Sequence, residues 1–284
     1  NSTGCVMPAT AIQPYRNPRA VFWRAETIGV GAAALATRLY APAEIAAEAG
    51  IVLHLHGGAF TGGSLADGEA VSTMLAEAGA VVIALDYPLA PAHRFPEALE
   101  AAFGALLAIA RNRTRWAART APLYVAGEEA GGNLAAALAL MARDRRGPVL
   151  AGQILLSPML DPCLGTCSLR EADAGPVGCH WADGWADYLG SPDKAAHPYA
   201  APANASRLAG LAPALLISAQ DDPLRDEAAA YAARLREAGV VTRHHVQKAP
   251  TDWPDAYAGA PQTGSCLCQA CYHVSEFYAL TAPP

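Results

Sequence analysis

The stretch Pro122-Leu-Tyr-Val-Ala-Gly127-Glu128-Glu129-Ala130-Gly131-Gly132-Asn133-Leu-Ala-Ala-Ala137 changes character in its middle. Its opening residues are apolar strand formers and its closing residues are helix formers, so the pentapeptide Gly127 to Gly131 lies at a strand-to-helix turn. Glycines stand two before and two after the central Glu129. A turn this sharp brings the backbone on either side too close for a Cβ, and both positions therefore demand glycine. The frame is that of the nucleophile elbow G-x-S-x-G, with a carboxylate where the hydroxyl belongs.

The surroundings of the pentapeptide extend the same pattern. The apolar run Ile51-Val-Leu-His-Leu55 leads directly into His56-Gly57-Gly58-Ala59-Phe60, a strand-then-glycine arrangement whose backbone N–H groups form an oxyanion hole. Gly57 and Gly58 are the expected donors, joined by the N–H of Ala130 just past the elbow centre. Asp86-Tyr-Pro-Leu-Ala-Pro91, Phe95-Pro96 and Asp222-Pro-Leu-Arg-Asp-Glu227 follow in order.

On these motifs the chain resembles the hormone-sensitive-lipase branch of the α/β-hydrolase family, from about Phe22 to Leu280. The resemblance implies a mostly parallel, eight-stranded sheet flanked by helices, with a Ser, Asp, His triad at its carboxyl edge and activity on acyl esters. It places Glu129 at the nucleophile position and Asp222 at the acid. The family's histidine lies in a His-Gly-Phe turn after the last strand, and matching that spacing lands on Thr251-Asp252-Trp253. A threonine hydroxyl is no general base near neutral pH. His244, His245 and His273 compete as substitutes, the first two within a strand and the third on the final helix. Ala59 also stands where the family has a third glycine. The longer Glu129 side chain raises a sharper expectation, that its carboxylate folds onto the oxyanion donors and plugs the hole.

Three functions follow as alternatives. The leading expectation is a catalytically inactive pseudo-esterase serving as a binding or assembly subunit, with protein partners or a second copy of itself and a small hydrophobic ligand. Against it stand a lyase, isomerase or cyclase using Glu129 as acid or base, and a residual carboxylic ester hydrolase. Asp222, without a base to orient, is expected to cap a helix or pair with Arg225 or His245.

Composition supports one folded unit over residues 1–284, with cap-side elements at about 1–20 and 160–195. At 284 residues and 52% hydrophobic, the chain can bury a large core, and no linker divides it. A net charge of −6 disfavours nucleic acid, and apolar runs stop well short of a membrane span. Strands are expected at 21–29, 33–40, 51–55, 80–85, 122–126, 151–156, 213–218 and 240–246. Helical periodicity marks Glu69 to Ala78, Pro96 to Arg111, Gly132 to Arg143 and Arg225 to Ala238. Trp181, Trp185 and Tyr188 share one helical face, read either as core or as pocket lining. His54 and His56 read as structural groups on a buried strand, with His56 orienting the loop that follows.

Asn1, Asn112 and Asn204 each open an N-x-S/T sequon, which suggests glycosylation and a secreted protein. The absent initiator methionine fits a mature chain freed of its targeting peptide. Of the seven cysteines, six fall in two groups, Cys163, Cys167 and Cys179, then Cys266, Cys268 and Cys271. The family's topology sets both groups over the pocket, where disulfides would staple them together. Zinc competes, because Cys266, Cys268, Cys271 and His273 offer four soft ligands in eight residues. No metal and no cofactor is the expectation chosen.

Overall fold

The computed structural model describes residues 20–171, 175–251 and 266–282. Eight strands form one sheet in the order β1-β2-β4-β3-β5-β6-β7-β8. β1 (Val21–Val30) and β2 (Ala33–Pro42) make an antiparallel hairpin, and β2 pairs antiparallel with β4 (Val81–Leu85). All later neighbours are parallel: β3 (Ile51–Leu55), β5 (Leu123–Glu128), β6 (Gly152–Leu156), β7 (Ala214–Ala219) and β8 (Thr242–Gln247). Burial follows that change. β3 to β7 are buried at every residue, as parallel strands covered by helices on both faces must be. β1 exposes most of its residues, including Phe22 and Trp23.

Two layers of helix cover the sheet. α1 (Glu69–Glu77) and α7 (Cys266–Thr281) close one face around Val52, Val82, Tyr124, Ile154 and Phe277. α2 (Glu97–Arg111), α3 (Glu129–Asp144) and α6 (Arg225–Glu237) close the other around Leu53, Ile83, Val125, Leu155 and Leu216. Alternate residues of one strand thus feed opposite cores. α3 is buried from Ala130 to Ala142, and its alanines let it lie close to the sheet. Short α4 (Cys167–Glu171) and α5 (Gly175–Leu189) supply the cap side. Among the described residues, no helix is long and apolar enough to cross a membrane.

The expected strands match the observed ones closely, with two informative differences. β5 runs on through Gly127 and Glu128, and α3 begins at Glu129 itself instead of Gly132. The elbow is therefore a single residue. β8 starts at Thr242, and the Val241 carbonyl just before it accepts from the Ala214 N–H at 2.8 Å.

The cysteine and sequon expectations are corrected here. Among the described residues there is no disulfide, and Cys163, Cys167 and Cys179 are exposed thiols. The other group lies on α7, with Cys268 half-buried and Cys271 buried. The Cys266 side chain lies outside the described residues; a helix turns about 100° per residue, so His273, two residues past Cys271, points about 200° away from it and the two do not converge on one zinc ion. His273 of that set instead stacks on His245, 3.6 Å between ring centroids. Asn112 donates its amide to the Ala108 carbonyl at the end of α2, and Asn204 donates to the Ala195 carbonyl, both at 2.9 Å. The secreted-glycoprotein reading, which leaned on disulfides and sequons together, loses its support. Asn1 lies outside the described residues.

Candidate active site

Glu129 occupies the elbow with φ +52°, a left-handed conformation that an L-residue adopts only when its surroundings compel it. Those surroundings are backbone. A Cβ on Gly127 would lie 2.3 Å from the Gly131 carbonyl carbon and oxygen, and one on Gly131 only 1.9 Å from the Leu55 carbonyl oxygen. The two glycines let β5, α3 and the end of β3 meet at a distance no side chain permits. The Glu129 carbonyl is in turn held by the Met159 N–H at 3.0 Å.

Facing the elbow, the loop after β3 has three consecutive left-handed residues, Gly58 (φ +113°), Ala59 (+49°) and Phe60 (+67°). Such a run turns successive N–H groups inward and makes an anion-binding concavity. The Gly58 and Ala59 N–H groups donate to the two Glu129 carboxylate oxygens at 3.1 and 3.2 Å, and the Trp181 indole N–H donates to Oε1 at 2.6 Å. The carboxylate of the elbow fills the concavity expected to be the oxyanion hole. Of the expected donors Gly57, Gly58 and Ala130, Gly58 alone bonds to the carboxylate: Gly57 gives its N–H to Glu128 at 3.1 Å, and Ala59 and Trp181 complete the set toward Glu129. Ala130 stands completely buried in the first turn of α3.

The loop is fastened from behind. The Tyr87 hydroxyl donates to the His56 carbonyl at 2.7 Å, the two rings stack at 4.4 Å, and His56 Nδ1 lies 2.7 Å from the Gly57 carbonyl. Burial holds the His56 pKa below its usual value, so the ring is neutral and its Nδ1–H donates to that carbonyl. His54 bridges the Ser72 hydroxyl at 2.8 Å and the Glu128 carboxylate at 2.7 Å inside the core. Both histidines are structural, as their place on and beside β3 suggests.

On the cap side, Trp181, Gly184, Trp185 and Tyr188 form one buried stripe of α5. Trp185 and Tyr188 pack on Phe60, with ring centroids 4.9 and 4.1 Å away. Trp181 alone turns its polar edge to the site. The stripe is thus core at two positions and site lining at one, and its periodicity was the only sign of Trp181 in the sequence.

Burial is the main influence on the Glu129 carboxyl and raises its pKa; the Gly58 and Trp181 donors oppose the rise, and the neighbouring Glu128 charge adds to it. Asp222 is also buried, with its pKa pushed up to about 6. It accepts from the Ser157 hydroxyl and, at 2.8 Å, from the Leu224 N–H, so it caps the turn leading into α6. Neither suggested partner takes it: Arg225 pairs with Asp226 and Glu171, and the His245 ring stacks on His273. Thr251 binds Asp221 through both its N–H (2.8 Å) and its hydroxyl (2.5 Å). Those bonds outweigh burial and keep the Asp221 pKa low. His244 lies 3.1 Å from the Ser218 hydroxyl. Among the described residues, no imidazole bonds to Glu129 or Asp222.

Glu227, unnoticed as a functional group in the sequence, ties α6 to the loop after β6, whose Met159 N–H holds the Glu129 carbonyl. Its buried carboxylate accepts from the N–H groups of Leu160 and Asp161 at 2.6 and 2.9 Å, fixing the loop after β6. Burial nonetheless raises its pKa from 4.5 to about 8. Between those values the unfolded chain has released the proton that the folded chain retains, so stability falls as pH rises and levels off above about 8. The denaturation midpoint is therefore expected to be higher at pH 6 than at pH 8.5, by on the order of a few kcal/mol in stability. Urea titrations of Glu227→Gln should lose most of that difference; an unchanged pH slope would remove Glu227 as its source.

Comparison with known proteins agrees with the geometry. A family description of the alpha/beta hydrolase fold matches residues 52–250. The chain is 35% identical over 222 residues to the carboxylesterase NlhH of Mycobacterium tuberculosis, covering 75% of this chain and 69% of that one. It is 33% identical over 212 residues to an arylesterase of Saccharolobus solfataricus, covering 73% and 69%. The solved esterase of Pyrobaculum calidifontis superposes with a TM-score of 0.81 at 31% identity, over 92% of this chain and 87% of that one. These relatives are named as esterases, and that finding overturns the expectation of a catalytically inactive assembly subunit. The elbow, the inward-turned loop behind it and this shared likeness lead to one statement: the chain belongs to the α/β-hydrolase family, in its hormone-sensitive-lipase-like carboxylesterase branch.

Proposed function

We propose that the protein is a carboxylic ester hydrolase in which water, rather than a side-chain oxygen, attacks the acyl carbon. The carrying observation is the Glu129 carboxylate, set at the elbow and directly against the N–H groups of Gly58 and Ala59. An ester carbonyl oxygen that displaces the carboxylate gains the same two donors, which then stabilise the negative charge that develops on it. Glu129, tethered at the elbow, remains beside the acyl carbon. It takes one proton from a water molecule as that oxygen bonds to the carbonyl carbon. The tetrahedral intermediate then expels the alcohol oxygen, which recovers the proton from Glu129 and leaves a carboxylic acid.

A base is most effective when its pKa approaches the working pH, and burial moves Glu129 in that direction. The rate gain is modest because no covalent intermediate forms. Binding and oxyanion stabilisation alone supply roughly 10³ to 10⁴ over water, and a positioned general base adds about 10². Hydrolysis of p-nitrophenyl acetate and butyrate is expected above the buffer rate, rising with pH as Glu129 ionises. Glu129→Gln, which keeps the shape but cannot accept the proton, should slow it by about 10². An unaltered rate in Glu129→Gln would sink the base assignment. No turnover by the unaltered chain above buffer would sink the hydrolase reading itself.

A further inference from the structure

We infer that the Gly58 N–H, the Ala59 N–H and the Trp181 indole N–H form a receptor for small carboxylate anions, which Glu129 occupies as a built-in ligand. The inference rests on the acyl-site reading above, since the same loop would hold an ester's carbonyl oxygen. It adds a ligand class, a third donor from the cap, and competition between the chain's own side chain and free acids.

Two observations carry it. The donors converge: Oε2 of Glu129 accepts from Gly58, and Oε1 accepts from Ala59 and Trp181. This two-oxygen pattern matches a carboxylate, which offers about four acceptor positions, better than the single oxygen of an ester carbonyl. The donors are also preorganised. The backbone pair belongs to the left-handed run Gly58 to Phe60, and the indole is brought in by α5, whose Gly184 would place a Cβ 2.1 Å from the Ala59 carbonyl oxygen. Helix and loop are in backbone contact, which fixes the point from which the Trp181 side chain reaches the site.

In the native chain, Glu129 competes at the high effective concentration of an attached group, at least the millimolar range of a short flexible link. Free acids therefore bind the native protein weakly. Glu129→Gly vacates the receptor, and glycine suits the left-handed position better than any other residue.

The test is isothermal titration of purified Glu129→Gly with sodium acetate and sodium butyrate at pH 7, with 1-butanol as the uncharged control. Saturable one-to-one binding of the acids is expected, at least tenfold tighter than to the native chain and absent with butanol. The double variant Glu129→Gly/Trp181→Phe, which loses only the indole donor, should bind about tenfold more weakly, as expected for one hydrogen bond to a charged group. Binding equal to that of the native chain, no binding by the folded variant, or indifference to Trp181→Phe would each overturn the inference. If Glu129→Gly does not fold, the native chain decides. Its Trp181 indole proton resonance should lie downfield and move as Glu129 titrates, and a shift typical of a solvated indole would overturn the inference. No arm uses ester turnover, so failure of the receptor and failure of the hydrolase reading are separate results.

Discussion

Glu129→Ser/Thr251→His is expected to raise kcat/KM for p-nitrophenyl butyrate by about 10² or more over the native chain. Each change alone should give no gain. The elbow already has the left-handed turn and the two glycines that expose a side chain at its tip, and serine in place of Glu129 empties the oxyanion hole. A lone serine hydroxyl nevertheless has no proton acceptor, and a lone imidazole has no nucleophile to activate. Groups that act as a unit are non-additive, so the gain belongs to the pair. The expected third member, Asp222, is buried, ordered by the Leu224 N–H, and bonded to the Ser157 hydroxyl. Thr251 is also buried and sits against Asp221, one residue from Asp222. Initial rates, together with labelling of position 129 by a fluorophosphonate, are the measurements. Labelling without a rate gain would show that position 251 does not bring an imidazole to the elbow.

Gly131→Ala is expected to abolish the native fold, or to cost about 4 kcal/mol or more. Most core overpacking costs roughly 1 to 3 kcal/mol because side chains give way. Here the added carbon would lie 1.9 Å from the Leu55 carbonyl oxygen and 2.5 Å from that of His56. Both oxygens are backbone, and β3 is paired on its two sides with β4 and β5 along its whole length. It cannot retreat. Gly29→Ala is the control, since Gly29 lies exposed in β1 and a methyl group added there would meet nothing within 4 Å. That change should stay within about 0.5 kcal/mol. Chemical denaturation of both variants checks the contrast, and a folded Gly131→Ala of native stability would contradict the close approach of β3 to the elbow.

The frame of the site was legible because glycine spacing reports backbone proximity directly. Gly127, Gly131 and the glycines after Leu55 mark places where chains touch, and the strand and helix patterns around them fixed which elements touch. The plugging of the hole by Glu129 was also readable, from the length of the side chain and the donors opposite it. The choice of donors was not. Whether Gly57 or Ala59 turns its N–H inward depends on a run of left-handed dihedrals, and alanine gives no sign of adopting one. Trp181 was hidden for a different reason: a helical stripe reads the same whether a ring fills the core or points an N–H into a site.

Local chemistry alone determined the order of strands and helices, the elbow, and the carboxylate at its tip, because these depend on propensity, periodicity and the space a glycine leaves. Tertiary structure decided the partners. It assigned Asp222 to a helix turn, Thr251 to Asp221, and Cys271 and His273 to separate faces of α7. It also joined Trp181 to Glu129 across 52 residues of chain. Such pairings are set by how whole elements dock, and only burial in a shared, water-poor space makes a hydrogen bond between distant residues decisive.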